Sequence, residues 1–257
     1  ADASQPNAGR MYDYFLGGNH NFEIDRNAAK QVVEIAPFLP KLLKLIRWFL
    51  GEAIRKLVDE GYTNFIDFAS GLPTIDHIHE VAPEGTKVIY SDIDPVTVAY
   101  AQEIIGDNEN VKYVQCDAAK PEGVLDSGIV EEMFGNNRKV AIGFNGISWF
   151  LTSDEVNHAM SVLYNWSGGD SKLFISEGDN PETPKKAEKL RQFYENVGQP
   201  IFYKPMEEFA ALIQPWNIAE PGMKKLEEWL EMSTEVSETI EKDWQGVGAI
   251  YGGFLAK

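Results

Sequence analysis

Residues 62–73 read YTNFIDFASGLP. The first seven residues, rich in aromatic and β-branched side chains, predict a buried strand over 62–68. The next five, ASGLP, predict a tight turn of small residues leading into a helix from Thr74 to Val81. The same unit then repeats. KVIYSD (87–92) predicts a second strand, and Pro95 opens a helix to Ile105. VKYVQC (111–116) and KVAIGFN (139–145) predict a third and a fourth strand, the fourth followed by a helix from Ser153 to Trp166. KLFISEG (172–178) predicts a fifth, followed by a helix from Thr183 to Val197. Strands alternating with helices at this spacing give right-handed crossovers and a parallel sheet covered on both faces. WNIAE (216–220) and AIYGGFLA (249–256) supply two further strands. The expected fold is therefore α/β and Rossmann-like, with a mostly parallel seven-stranded sheet.

Upstream, Glu23–Ala36 predicts a helix with Asn21 as its N-cap, and Pro40–Glu60 a longer one that Gly61 ends. The preceding RMYDYFLGGNHNF (10–22), dense in aromatics and broken by two glycines, predicts an ordered loop or short helix packed over something. The reading divides the chain into a helical N-terminal cap, 1–60, and a ligand-binding Rossmann-like domain, 61–257. Residues 227–243 are strongly acidic and predict a solvated helix face, or a lid that shapes substrate choice.

The 257 residues are 44% hydrophobic and 12% aromatic, enough to bury a core. The net charge of −17 repels phosphate backbones, so neither a nucleic acid nor an anionic membrane surface is an expected partner. Cys116 is the one cysteine, which excludes an internal disulfide framework and a cysteine-rich zinc site. No stretch has the roughly 18 apolar residues of a membrane span, and the first residues lack the pattern of a signal peptide. A cytoplasmic location is expected. The missing initiator Met suggests trimming, or excision from a larger synthase.

In an open parallel sheet, ligands bind beyond the carboxyl ends of the strands. Here three successive strands end in acids: Asp67, Asp92 and Asp117. The turn Ala69-Ser70-Gly71 lets backbone approach a ligand closely. Asp92 can accept both hydroxyls of a ribose, with Ile93 beside it. Asp94 competes for that role, although Asp-Pro also simply starts a helix. Asp117, with Ala118, can accept the exocyclic amine of adenine. Asn145 and Gly146 close the fourth strand and line the reaction centre. Neither G-x-G-x-x-G nor a P-loop is present, so a pyrophosphate has little to sit on. A nucleoside carrying a positive group suits this acidic pocket, and S-adenosylmethionine is such a ligand, its amino group meeting Asp67.

DFASGLP, VIYSDIDP and YVQCDA resemble the first three motifs of class I S-adenosylmethionine-dependent methyltransferases. More narrowly, the chain resembles a bacterial family of uncharacterised S-adenosyl methyltransferases abundant in actinomycetes, over roughly residues 10–222. The leading segment matches at Arg10, Tyr12, Asp13, Tyr14, Leu16, Gly17, Gly18, Asn21, Phe22, Asp25 and Arg26. The glycine turn matches at Asp67 and from Ser70 to Thr74, followed by His79-Glu80-Val81. Ala69 stands where the family has the first glycine of its turn, and Ser148-Trp149-Phe150-Leu151 stands where it often carries a histidine.

The resemblance implies a methyltransferase whose N-terminal cap lies over the cofactor. Arg10 could pair with the cofactor carboxylate, and Tyr12 and Tyr14 could lie near the sulfonium. His20, in the same segment, is the candidate general base, with Tyr14 beside it. His77 and His158 read as surface residues and His79 as structural; their spacing predicts no metal site. The expected reaction is O-, N- or C-methylation of a small molecule, of the kind found in secondary metabolism, by a chain that could form a homodimer. The alternatives are a non-methylating enzyme that uses S-adenosylmethionine, or a non-catalytic module that binds it or S-adenosylhomocysteine.

Overall fold

The computed structural model describes residues 4–73, 76–178, 185–229 and 249–257. Three helices lead: α1 (Ala8–Phe15), α2 (Glu23–Ile35) and α3 (Leu39–Asp59). The sheet then begins with β1 (Asn64–Asp67), the one-turn α4 (Ile78–Val81), β2 (Lys87–Asp92), α5 (Pro95–Ile105) and β3 (Val111–Gln115). Two short helices, α6 (Glu122–Leu125) and α7 (Ile129–Phe134), precede β4 (Ala141–Phe144). Next come α8 (Ser153–Trp166), β5 (Lys172–Gly178), α9 (Lys185–Asn196) and α10 (Phe209–Leu212). The described chain closes with β6 (Asn217–Ile218), β7 (Lys224–Lys225), α11 (Leu226–Trp229) and β8 (Ile250–Ala256).

The first five strands are parallel in the order β3-β2-β1-β4-β5. β8 runs antiparallel beside β5, and both β6 and β7 pair with β8, so eight strands fill seven positions. The expected count was seven. The outermost position is split because Pro221 offers no amide hydrogen and Gly222 turns at φ +94°. Successive strand residues face opposite layers. Phe65, Val88, Tyr90 and Phe174 pack with α1–α3 in one apolar cluster. Ile66, Ile89, Ile142 and Leu173 pack with α6–α8 and α10 in the other. Both faces are buried, as a parallel sheet requires.

Several local expectations are corrected. The helix expected from Thr74 is only α4; Thr74 and Ile75 lie outside the described residues. α4 stops at Val81 because Ala82 precedes Pro83 and is extended (ψ 155°). Asn21 does not cap α2; Asp25 reaches back to the Phe22 amide (2.9 Å), while the Asn21 amide binds Asp13 (2.8 Å). α8 is capped by Thr152 and Glu155 in a reciprocal box, one residue before the expected Ser153. Of the acidic segment, Glu227 and Glu228 belong to α11; residues 230–243 lie outside the described residues.

Candidate active site

A cavity of about 470 Å³ opens over the carboxyl ends of the parallel strands. The register places Asp67 beside Tyr90 and Gly143, so β1, β2 and β4 end side by side. Across the sheet the floor runs Asp117, Asp92, Asp67, Asn145 and Glu177. The roof comes from α1, α3 and residues 198–203.

The glycine turn is held by side chains bonded to its backbone. The Ser70 hydroxyl donates to the Asp67 carbonyl (2.8 Å), and the Tyr113 hydroxyl to the Gly71 carbonyl (2.6 Å). The Gly71 amide donates to Asp92 Oδ2 (3.1 Å) and the Asp94 amide to Asp92 Oδ1 (2.9 Å). Each Asp92 oxygen therefore keeps a lone pair for a ligand hydroxyl. Gly71 sits at φ +63° and Ala69 at φ +54°. The left-handed conformation costs a non-glycine residue about 1–2 kcal/mol, so Ala69 carries the strain that a glycine there would avoid.

Burial pushes the Asp67 carboxyl up to about 6, against the opposing pull of Ser70 and of the Arg47 charge. Asp92 is likewise pushed up to about 6 by burial, although the cavity leaves it partly accessible to solvent. Asp117 keeps one oxygen on the Ala119 amide (2.9 Å). Asn145 donates to the Ile46 carbonyl of α3 (3.2 Å), and its Oδ1 is buried without a partner.

Asp67, Ala69, Ser70, Gly71 and Asp92 all line this cavity, as do Ile93, Asp117, Ala118, Asn145 and Gly146. Three expected residues do not. Arg10 is 1% exposed and bonded at Nε to Asp25 (2.8 Å), at Nη1 to Asp94 (2.9 Å) and at Nη2 to the Gln5 carbonyl (2.7 Å). It pins α1 to α2 and to the start of α5, with a partner on each of its three nitrogens. Asp94 is turned to Arg10 and Thr97 and away from the cavity, which Asp92 lines. Tyr14 packs against the core beside Phe15. His20 sits in the 18–21 loop, where its backbone amide binds Asp13 (2.9 Å). That loop needs Gly18, because a Cβ there would lie 2.1 Å from the Asp13 carboxylate.

His77 is buried beneath the glycine turn, contrary to the surface reading. It meets Tyr90 edge-on at 4.9 Å, and its Nε2 faces the Ser70 carbonyl at 3.2 Å. Nε2 therefore carries the proton, and Nδ1 is a buried acceptor without a partner. His79 is structural, accepting from the Tyr90 hydroxyl (2.9 Å).

Two charged lining residues were missed. Arg47, on α3, is 5% exposed, with Nε and Nη1 unpartnered. Its place in an otherwise apolar helix run gave no sign that it points inward. Glu177, closing β5, is 2% exposed; it accepts from the Ser148 hydroxyl and the Gly178 amide (3.0 Å). Burial pushes its carboxyl up against the pull of the Lys204 charge. A fourth acid in the strand-end series, at the fifth strand, was its only signal.

A mostly parallel sheet with an antiparallel β8, bearing an acid-lined cavity over its strand ends, defines the class I methyltransferase architecture. The chain belongs to the S-adenosyl methyltransferase family, whose model matches residues 1–253. It is similar over its full length to a Thermobifida fusca YX protein described as a methyltransferase, at 26% identity, 97% of that chain and a TM-score of 0.87. A Streptomyces avermitilis MA-4680 protein of the DUF574 family matches at 24% identity over 100% of this chain and 99% of that one, with a TM-score of 0.85. The magnesium protoporphyrin IX methyltransferase of Synechocystis PCC 6803, whose structure holds bound S-adenosylmethionine, shares the fold at 15% identity, with a TM-score of 0.50 over 98% of this chain and 100% of that one. No curated protein matches. The chain is thus an S-adenosylmethionine-dependent methyltransferase.

Proposed function

We propose that the cavity methylates a small molecule with a largely apolar body. The observation that carries this reading is the continuity of the cavity. It runs from the three acids of β1–β3 to a wall of Trp149, Phe150, Tyr194, Phe202 and Tyr203 beyond β4. The polar half fits S-adenosylmethionine: it offers carboxylates to a ribose, an adenine amine and an ammonium, and the acceptor Asn145 Oδ1 has no other partner. When bound, the donor supplies an electrophilic methyl group on a sulfonium.

The residues act by holding and orienting. Asp92 takes the ribose hydroxyls, Asp117 the adenine amine and Asp67 the ammonium, while the 69–71 backbone closes against the ligand. The aromatic wall holds the acceptor and excludes water, so that much of the rate comes from alignment. Glu177 is the carboxylate placed to take a proton from a hydroxyl or amine acceptor. Arg10, Tyr14 and His20 lie outside the cavity lining and have no role at the reactants in this reading.

The test is a calorimetric titration with S-adenosylmethionine and S-adenosylhomocysteine. Loss of a charge-assisted ribose contact removes about 1.5–3 kcal/mol, so Asp92→Ala should weaken both ligands roughly tenfold or more. Failure of the wild-type protein to bind either ligand would sink the reading.

A further inference from the structure

We propose that Arg47 binds the α-carboxylate of the methyl donor, forming with Asp67 a two-ended site for its α-amino acid group. The inference rests on the S-adenosylmethionine reading above and adds the residue that recognises the far end of that ligand. It also moves the carboxylate partner from Arg10, which lies buried outside the cavity lining with its three nitrogens bonded to Asp25, Asp94 and the Gln5 carbonyl.

Arg47 projects from α3 into the cavity roof, with its guanidinium over the Tyr12 ring at 5.3 Å. The Tyr12 hydroxyl is itself fixed to the Leu43 carbonyl (3.0 Å), so the ring is a firm platform. Nε and Nη1 are buried and unpartnered. A desolvated guanidinium with open donors at Nε and Nη1, which point to different edges of its plane, is poised for an oxyanion at one of those edges.

The surroundings select which oxyanion. The cavity wall also carries acceptors: the Asp67 carboxylate, Asn145 Oδ1 and His77 Nδ1, the last two buried without partners. Burial and the nearby Arg47 charge hold His77 well below its usual range, so its ring is neutral. Acceptors grouped with an open guanidinium fit a zwitterion. They repel a phosphate, whose second charge Asp67 and Asp92 would oppose.

The test uses the full chain and three titrants: S-adenosylmethionine, its decarboxylated analogue and methylthioadenosine, which lacks the amino acid end. The wild-type protein should prefer S-adenosylmethionine over the decarboxylated analogue by roughly ten- to a hundredfold. Arg47→Met should abolish that preference and leave methylthioadenosine binding as in wild type, which also shows that the nucleoside half is still folded. Arg47→Lys, a point charge without the fork, should restore part of the preference. Wild-type protein that binds the two sulfonium ligands equally overturns the inference, as does an Arg47→Met or Arg47→Lys variant with the full wild-type preference. Absence of binding by every titrant would instead count against the S-adenosylmethionine reading itself.

Discussion

The chemistry of single residues divides by how openly each is marked in the sequence. Asp67, Asp92 and Asp117 were legible because each closes a run of strand-forming residues, and the end of a buried strand is where a carboxylate can reach a ligand. Arg47 was not, because one cation in a helix that also carries Lys41, Lys44, Arg55 and Lys56 looks the same whether it reaches solvent or turns inward. Arg10 misled for the opposite reason: its motif reflects a buried ion-pair triad with Asp25 and Asp94, which serves the cap. The strand-end acids also set the pH response. Asp67 and Asp92 are pushed up to about 6 in the ligand-free fold, whereas an unfolded chain loses such protons near pH 4. The folded state therefore holds more protons between these values, and the ligand-free fold loses stability as pH rises from about 4 to about 6. A cation bound beside the carboxyls draws those protons off. Titration with S-adenosylmethionine near pH 5.5 should show net proton release, seen as a heat that varies with the ionisation enthalpy of the buffer. The affinity should rise toward neutral pH. A buffer-independent heat at pH 5.5 would contradict the assignment.

At the scale of elements, the long features were readable and several short ones were not. β1 to β5, α3 and α8 announce themselves through periodicity and length, and β6 falls inside the strand expected at 216–220. β7, two residues long and outside any expected strand, pairs only with the edge that β8 offers it. Pairing between distant segments leaves no local pattern to read. The closeness of β1 and β4 was equally hidden, yet it positions the site. A Cβ on Gly143 would lie 2.0 Å from Asp67 Oδ1 and 2.7 Å from the Phe174 ring. Phe174 is fully buried and cannot retreat, so Gly143→Ala should cost about 1–3 kcal/mol of stability. It should also weaken S-adenosylmethionine binding by displacing Asp67. Gly178, at the end of β5, has open space where its Cβ would stand, and Gly178→Ala should unfold at the wild-type temperature. Equal melting temperatures for the two variants would show that β1 and β4 are less tightly apposed than this register places them.

For the whole molecule, charge is the property that sequence displays most directly and structure explains least locally. The net charge of −17 is far larger than the three carboxylates of the cofactor half. It acts through a field that reaches the cavity mouth and decays within about 10 Å at 0.1 M salt. The methyl donor and its demethylated product differ in this field: near neutral pH S-adenosylmethionine carries one net positive charge, and S-adenosylhomocysteine none. The two ligands share the adenine, ribose and amino acid contacts, so whatever separates their salt dependence comes from the sulfonium. Raising salt from about 10 mM to about 500 mM should therefore weaken S-adenosylmethionine more than S-adenosylhomocysteine. The ratio of their dissociation constants, measured by titration at several ionic strengths, reports the effect directly. A ratio that does not move with salt would mean that contact chemistry at Asp67 and its neighbours alone governs donor binding. A falling preference for the donor would make the acidic surface part of how the enzyme gathers its donor and releases its product.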